Sequence, residues 1–225
     1  PAYIESIGES AFQFSSLGKF SLSSDNYTSQ TIGPYAFYNC KFANEIQIPT
    51  TVTQIGSYAF SNCVTEKVEI EGNNNIDGTT ISDYAFYGCT MSTLAFGTFD
   101  SNFLSHSFGK CQNIEKLDFG NIKSIPPLAF QEDLISQDIE LNFPASLTSI
   151  GEGAFKYCSA ITKVEFHQNS QITTIANYLF YECTKLTSVL NLPNTITSIG
   201  KDRTPPDPTI PIGHSFYNCI SLETF

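Results

Sequence analysis

The chain has 225 residues, 41% of them apolar and 19 of them Phe, and it carries a formal net charge of −11. This apolar content excludes an intrinsically disordered chain. The excess of carboxylates over 11 Lys and Arg excludes the basic stripe that binding to a nucleic-acid backbone needs. No apolar run of about 18 residues is present, which excludes a membrane span within this sequence.

Near-copies of one nine-residue string recur along the whole chain. The template is I-G-x-x-A-F-x-x-C, and successive central Phe residues lie 22 to 26 positions apart, except for a last step of 36. Self-similarity at a period of about 20 to 50 residues is typical of a solenoid, in which each repeat buries its apolar face against its neighbours. The sequence therefore predicts a single array of about nine repeats over residues 1–225. The central residues are Phe12, Phe37, Phe60, Phe86, Phe108, Phe130, Phe155, Phe180 and Phe216.

Short stretches that alternate apolar and polar residues separate these copies. Such alternation is the two-residue period of a strand, and one strand per repeat predicts a parallel sheet along one side of the coil. The rest of each repeat predicts a turn and a short helical or 3₁₀ segment on the opposite side, with Phe packed between coils. The stretches are EIQIP (45–49), KVEI (67–70), KLDF (116–119), LNFP (141–144), KVEFH (163–167) and LNLP (190–193).

The combined strand and turn pattern resembles the BspA-type leucine-rich repeat. The stretch IPTTVTQIGSYAFSNC (48–63) fits that repeat almost residue for residue, and the resemblance covers essentially the whole chain. It implies a leucine-rich repeat solenoid, a right-handed β/α superhelix with strands on the concave side and turns or short helical segments on the convex side. Departures are Ser15 and Asp133 in place of Cys, lengthened strand approaches near 71–80 and 134–140, and a Pro-rich insertion at 201–214.

The two ends of the sequence fall inside repeats. Pro1 stands where Pro49, Pro144 and Pro193 stand in other repeats, and the chain stops shortly after Cys219. We therefore expect a fragment that is truncated at both ends. The insertion 201–214 lies within the last repeat and is interpreted either as a binding loop or as tolerated drift.

All seven cysteines occupy one repeat position, three residues after the central Phe. Side chains in such a ladder run parallel, so their Cβ atoms stay about 5 Å apart instead of closing to the roughly 3.8 Å of a disulfide. We predict buried free thiols that act as small hydrophobes, with a disulfide or metal role as the alternative. The members of this structural ladder are Cys40, Cys63, Cys89, Cys111, Cys158, Cys183 and Cys219.

No constellation of residues predicts catalysis. The histidines His106, His167 and His214 stand in different repeats at positions that Tyr or Pro fill elsewhere, and none has a nucleophile or a carboxylate at a suitable spacing. No Cys or His pair has metal-ligand spacing. We predict a protein that is not an enzyme and that needs no cofactor or metal.

The outward positions of the strands form the candidate binding surface. A Lys-x-acid pattern recurs there in Lys67 with Glu69, Lys116 with Asp118, and Lys163 with Glu165. One interpretation is a solvated face whose opposite charges offset one another. The other is a rigid concave surface that recognises a protein, the usual use of solenoid curvature. Asn191 is placed in the same outward column as Glu165.

The resemblance also supplies the functional expectation. BspA-like proteins are associated with microbial surfaces, so the chain is interpreted as part of a cell-surface or secreted adhesin that binds extracellular matrix proteins such as fibronectin or fibrinogen. The alternative is an intracellular scaffold or regulatory solenoid. Asn26 begins an Asn-Tyr-Thr glycosylation acceptor sequence, which contributes little to the localisation.

Overall fold

The computed structural model describes residues 4–18, 20, 22, 29–72, 79–97, 102–132, 138–200 and 214–225. Asn26 and most of the insertion 201–214 lie outside these residues, so the expectations about them stay predictions, as do the repeat number and the limits of the array. Among the described residues there is no helix. The chain forms short strands and turns that wind into stacked coils.

Each coil contributes a longer strand of three to six residues, as the alternating stretches predict. These are β5 (Ile46–Ile48), β7 (Lys67–Ile70), β9 (Thr93–Phe96), β11 (Lys116–Asp118), β13 (Ile139–Phe143), β15 (Ile161–Phe166) and β17 (Ser188–Leu190). They pair in parallel as β5-β7-β9-β11 and as β13-β15-β17. The predicted parallel sheet is confirmed, with an interruption between β11 and β13.

A second strand, of two to four residues, precedes each turn, and the sequence reasoning did not predict it. These strands are β1 (Ser6–Ile7), β3 (Gln30–Ile32), β6 (Val52–Ile55), β8 (Thr80–Ile81), β10 (Asn102–Phe103), β12 (Ser124–Ile125), β14 (Ser149–Ile150), β16 (Thr174–Ile175) and β18 (Ser198–Ile199). They pair in parallel as β1-β3-β6-β8-β10, β12-β14 and β16-β18. A third, minor ladder follows the turn, where β2 (Ser16–Leu17) pairs with β4 (Lys41–Phe42).

The predicted helical or 3₁₀ segment is wrong: consecutive turns take its place. Tyr35 and Asn39 adopt φ of 54° and 56°, the left-handed region that interrupts a right-handed helix. Backbone donors alternate in direction as a result. Tyr38 N donates within the coil to Tyr35 O at 3.0 Å, whereas Phe37 N donates to Ala59 O of the next coil at 2.7 Å. Every second amide thus ties one coil to the next.

The core is a continuous stack of aromatic rings. Neighbouring central Phe rings lie 4.9 to 5.8 Å apart between centroids and are nearly parallel, from Phe12 at one end to Phe216 at the other. The stack crosses the interruption in the sheet, because Phe130 lies 5.5 Å from Phe108 and 5.2 Å from Phe155. Ring packing therefore continues where the pairing of the longer strands stops, and it joins the same two coils that the β12–β14 pairing joins.

Candidate interaction surface

The outward side chains of β5, β7, β9, β11, β13, β15 and β17 form what we call the long-strand face. The strand register sets them in two rows. One row runs Lys67, Thr93, Lys116, and beyond the interruption Glu140, Lys163, Ser188. The other runs Gln47, Glu69, Ala95, Asp118, and beyond the interruption Asn142, Glu165, Leu190. The six predicted site residues all lie on this face.

Lys67 is held between two carboxylates. Its Nζ lies 2.5 Å from Glu69 Oε2 on the same strand and 3.7 Å from Glu45 Oε2 on the neighbouring coil. The hydrogen bond to Glu69 raises the pKa of Lys67, and the nearby charges of Glu69 and Glu45 act in the same direction. Since each of Lys67 and Glu69 is only 33% exposed, this pair is a fixed feature of the surface.

Lys163 repeats the same arrangement further along the array. Its Nζ lies 3.0 Å from Glu165 Oε2 and 3.6 Å from Glu140 Oε2. The hydrogen bond to Glu165 raises the pKa of Lys163. Glu165 also accepts a hydrogen bond from Asn191 Nδ2 at 3.1 Å.

The third predicted pair does not close. Asp118 accepts a hydrogen bond from the backbone amide of Gly120 at 3.0 Å, and Lys116 takes part in no ion pair among the described residues. The two residues lie two positions apart on β11, as Lys67 and Glu69 do on β7. Among the described lysines of the long-strand face, Lys116 is therefore the one without an ion pair.

The predicted place of Asn191 is wrong by one residue. β17 pairs Val189 with Val164 and Leu190 with Glu165, so Leu190 takes the outward position. Asn191 then adopts a φ of 54°, a conformation that Asn tolerates better than most residues. It reaches Glu165 from the end of the strand.

The cysteine ladder has a hydrogen-bonding role that the spacing did not reveal. Each thiol donates to the carbonyl oxygen of the central Phe in the preceding coil. Typical Sγ to O distances are 3.1 Å for Cys63 to Phe37 and 3.0 Å for Cys89 to Phe60. The other donors are Cys40, Cys111, Cys158, Cys183 and Cys219.

All seven thiols are free, and six of them are buried. Burial raises the pKa of the Cys63, Cys89 and Cys183 thiols well above the ordinary value. Cys219 is partly exposed, and burial raises its pKa to about 11. A thiol reacts as its thiolate, so these groups are poor nucleophiles in the folded chain.

The histidines are dispersed over the fold. His106 stacks on Tyr84 at 4.8 Å, His214 on Tyr178 at 5.6 Å, and His167 Nδ1 accepts a hydrogen bond from the Asn169 amide at 3.1 Å. No group of three His, Cys, Asp or Glu in the described residues has the geometry of a metal site.

The turns carry an aromatic surface that sequence reasoning placed only in part. Every tyrosine within the described residues lies in a turn, and Tyr35, Tyr58 and Tyr84 stack at 5.1 and 5.0 Å. Lys156 Nζ lies 4.9 to 5.0 Å from the ring centroids of Tyr157, Tyr178 and Tyr181. Because stacked rings and a lysine of the chain itself occupy most ring faces, this surface offers mainly ring edges and hydroxyl groups.

The comparison with known protein families agrees with the repeat geometry. The family model for the BspA type leucine rich repeat region, which spans six copies, matches residues 5–79, 30–138 and 137–203. The chain belongs to the BspA-type leucine-rich repeat family. This family is a repeat fold of protein interaction.

Two bacterial leucine-rich repeat proteins of known crystal structure resemble this BspA-type chain. The leucine-rich repeat protein of T. pallidum has 17% sequence identity and a TM-score of 0.55, with 92% of this chain and 88% of that chain covered. A leucine-rich repeat protein from Eubacterium ventriosum has 16% identity and a TM-score of 0.45, with 98% of this chain and 63% of that chain covered. No curated protein sequence matches the chain. The part of the chain that the structure describes contains no helix with the length and apolarity to cross a bilayer.

Proposed function

We propose that the chain is a non-enzymatic protein-recognition module and that the long-strand face is its contact surface. The observation that supports this most directly is the fixed register of that face, in which Lys67, Thr93 and Lys116 stand in one row on three adjacent strands. Solenoids typically present recognition residues on a rigid array of this kind. Lys67 and Lys163 are each held by two carboxylates, so we expect Lys116 to make the most direct contact with a partner.

In its more specific form, the proposal places the module in a microbial cell-surface or secreted adhesin. Its partners would be extracellular matrix proteins such as fibronectin or fibrinogen, bound without any covalent step. Membership of the BspA-type family supports this assignment, and the regular face supports contacts repeated along an extended partner. Several modest contacts on one rigid surface add up to useful affinity.

A second candidate is an intracellular scaffold that binds a cellular protein through the same face. The observation that favours it is the set of seven free thiols, because chains in reducing compartments keep their cysteines unpaired. The full reading frame separates the two candidates. An export signal or a surface anchor beyond these 225 residues would favour the adhesin.

The experiment is a plate-binding assay of the purified chain on immobilised fibronectin, fibrinogen and other matrix proteins. One variant carries Lys67→Glu, Lys116→Glu and Lys163→Glu. The matched control carries Lys41→Glu, Lys110→Glu and Lys123→Glu, which change the net charge equally but lie off the long-strand face. Circular dichroism melts establish that both variants fold.

Three outcomes are distinguishable. Saturable binding that is lost in the face variant and kept in the control supports an adhesin that works through the long-strand face. Binding that both variants keep moves the contact to another surface. No binding to any matrix protein contradicts the adhesin, and a pull-down from cell extract with the same variants then tests the scaffold.

A further inference from the structure

The interruption of the long-strand sheet leaves two strand edges facing each other. Among the described residues, β11 pairs only with β9, and β13 pairs only with β15. The opening is local, because the two coils are bonded again just beyond it. Ser146 Oγ donates to Ile122 O at 3.0 Å, and Thr148 N donates to Lys123 O at 2.8 Å. The edges of β11 and β13 therefore flank a gap with bonded coils at its far end.

This gap forms a groove of about 420 Å³ on the long-strand face, a volume within the range of binding clefts. Its floor is apolar. Leu117 in the groove is 8% exposed, whereas Leu94 and Leu141, at the matching positions of the adjacent strands, are 0% exposed. The rest of the lining comes from both edges and their outward side chains, including Phe119, Ile139 and Asn142. Leu117 thus keeps a small exposure that the matching residues of the adjacent strands lack.

The rim of the groove is mainly acidic. Four carboxylates and one ammonium group line it, and Asp118 on β11 faces the groove from one side while Glu140 on β13 does so from the other. Some of this charge is offset, since Asp138 Oδ1 lies 2.6 Å from Lys185 Nζ and Glu140 Oε2 lies 3.6 Å from Lys163 Nζ. With Lys163 and Lys185 included, three ammonium groups stand against four carboxylates, so the groove keeps a slight acidic excess that complements positive charge. The charged lining residues are Glu115, Lys116, Asp118, Asp138 and Glu140.

An unpaired strand edge carries N–H and C=O groups that an added strand can bond. We propose that this groove binds a short extended segment of a partner protein in which basic residues alternate with an apolar residue. The segment's backbone pairs with the edge of β13, its apolar side chain covers Leu117, and its basic side chains contact Asp118 and Glu140. The inference rests on the proposed protein-recognition function and specifies the chemistry of the partner.

The geometry limits how far this segment can enter. A strand inserted between two others needs about 4.8 Å on each side, but the rings of Phe119 and Phe143 lie only 5.3 Å apart. Ile139 N already donates to Ala160 O at 2.9 Å on the other side of β13. The segment therefore pairs with the backbone of Glu140 at the start of β13 and does not pass through the sheet. A segment of a few residues satisfies this limit.

The test is fluorescence anisotropy with the labelled pentapeptide Lys-Val-Lys-Val-Lys. Two companion peptides are Glu-Val-Glu-Val-Glu and the lysine peptide with N-methylated backbone amides, which cannot donate to a strand edge. We expect saturable binding of the first peptide only. The variant Asp118→Asn with Glu140→Gln should bind it about tenfold more weakly, since each lost carboxylate removes a charge-assisted hydrogen bond.

The matched control is Glu45→Gln with Glu69→Gln, which changes the net charge equally on the paired part of the same face. If both variants bind the lysine peptide equally weakly, the peptide is attracted to the acidic chain in general, and the groove proposal is overturned. Equal binding of the N-methylated peptide would overturn pairing with the strand edge. Protection of the Glu140 amide from hydrogen exchange, seen only with the lysine peptide, would support it.

Failure of this inference is distinct from failure of the proposed function. If no peptide binds but the lysine variant of the long-strand face loses a protein partner, the recognition module stands and the groove proposal is wrong. If the peptide binds at the groove while the lysine variants have no effect on protein binding, the contact surface proposed above is wrong and the groove remains.

Discussion

At the scale of single residues, the recurring cysteine combines three properties that its position demands. The site is buried, it has room for a small side chain, and it lies below a carbonyl with a second lone pair. Phe37 O, for example, accepts from Cys40 N at 3.1 Å within its coil and from Cys63 Sγ at 3.1 Å in the next coil. A thiol is apolar enough for the first two properties and a weak donor for the third.

This role predicts an order of stability among substitutions at Cys89. Cys89→Ala removes the donor to Phe60 O and leaves a small cavity, which should lower the free energy of unfolding by about 1–3 kcal/mol. Cys89→Ser keeps a donor and should cost less. Urea unfolding measures both. If Cys89→Ala costs less than Cys89→Ser, the thiol acts only as a hydrophobe, and its hydrogen bond to the Phe carbonyl does not contribute to stability.

At the scale of the repeat element, the glycine of the I-G pair is required by the approach of neighbouring coils. A Cβ on Gly56 would lie 2.6 Å from Pro34 N, and one on Gly33 would lie 2.9 Å from Ile7 O. Neither contact is with a flexible side-chain end, so the backbone itself would have to move. Gly8 occupies the same repeat position, and a Cβ there would meet nothing within 4 Å.

The two glycines make a matched pair for a stability measurement. Gly56→Ala should destabilise the chain by about 2 kcal/mol or more, because coil stacking must loosen to admit the methyl group. Gly8→Ala should be neutral or stabilise by up to about 1 kcal/mol through the unfolded state. Thermal and urea unfolding of both variants decides the matter. Similar costs at both positions would show that glycine serves local backbone conformation there and not coil packing.

The same elements show how far sequence reasoning reaches. Period and alternation were sufficient to place the Phe stack, the parallel strands and the outward rows, because burial repeats with the coil. Period and alternation did not predict the structure where several backbone conformations are compatible with the same spacing of apolar residues. The segment around Tyr35 and Asn39 has apolar residues at a spacing that suits a helical turn. Its backbone N–H groups instead donate alternately within their own coil and to the next coil. β17 shifts by one residue because Asn191 can adopt a left-handed conformation that no apolar pattern records.

The interruption after β11 also escaped the strand pattern. KLDF at 116–119 and ELNF at 140–143 fit one template, so the pattern predicts continuous pairing across them. The one available signal was the lengthened approach near 134–140, which separates the two strands along the chain.

At the scale of the whole molecule, the array behaves as a line of units coupled to their neighbours. Strand pairing changes within one coil of that line. β11 pairs back to β9 and β12 pairs forward to β14, so one paired block runs up to β11 and another begins at β12, while the ring stack continues through Phe130. Backbone bonds of the turns connect this coil to both sides, as from Phe108 N to Ala129 O at 3.0 Å and from Phe130 N to Ala154 O at 2.9 Å. Coupling through this coil depends on ring packing and turn bonds, because neither of its described strands, β11 and β12, pairs on both sides.

Removing the ring at this junction should separate the unfolding of the two blocks. Phe130→Ala and Phe60→Ala both delete a fully buried ring and should each cost about 3–5 kcal/mol. Phe60 lies within a paired block, so its variant should keep a single, less stable transition. In the Phe130 variant the free energy of interaction between the two blocks falls most. In a linear array, a weak interface allows the units on each side of it to unfold independently. Hydrogen exchange by mass spectrometry should then show residues 30–118 and 139–200 opening at different denaturant concentrations. A shared transition in both variants would show that the strand and turn bonds of this coil keep the array cooperative without the ring.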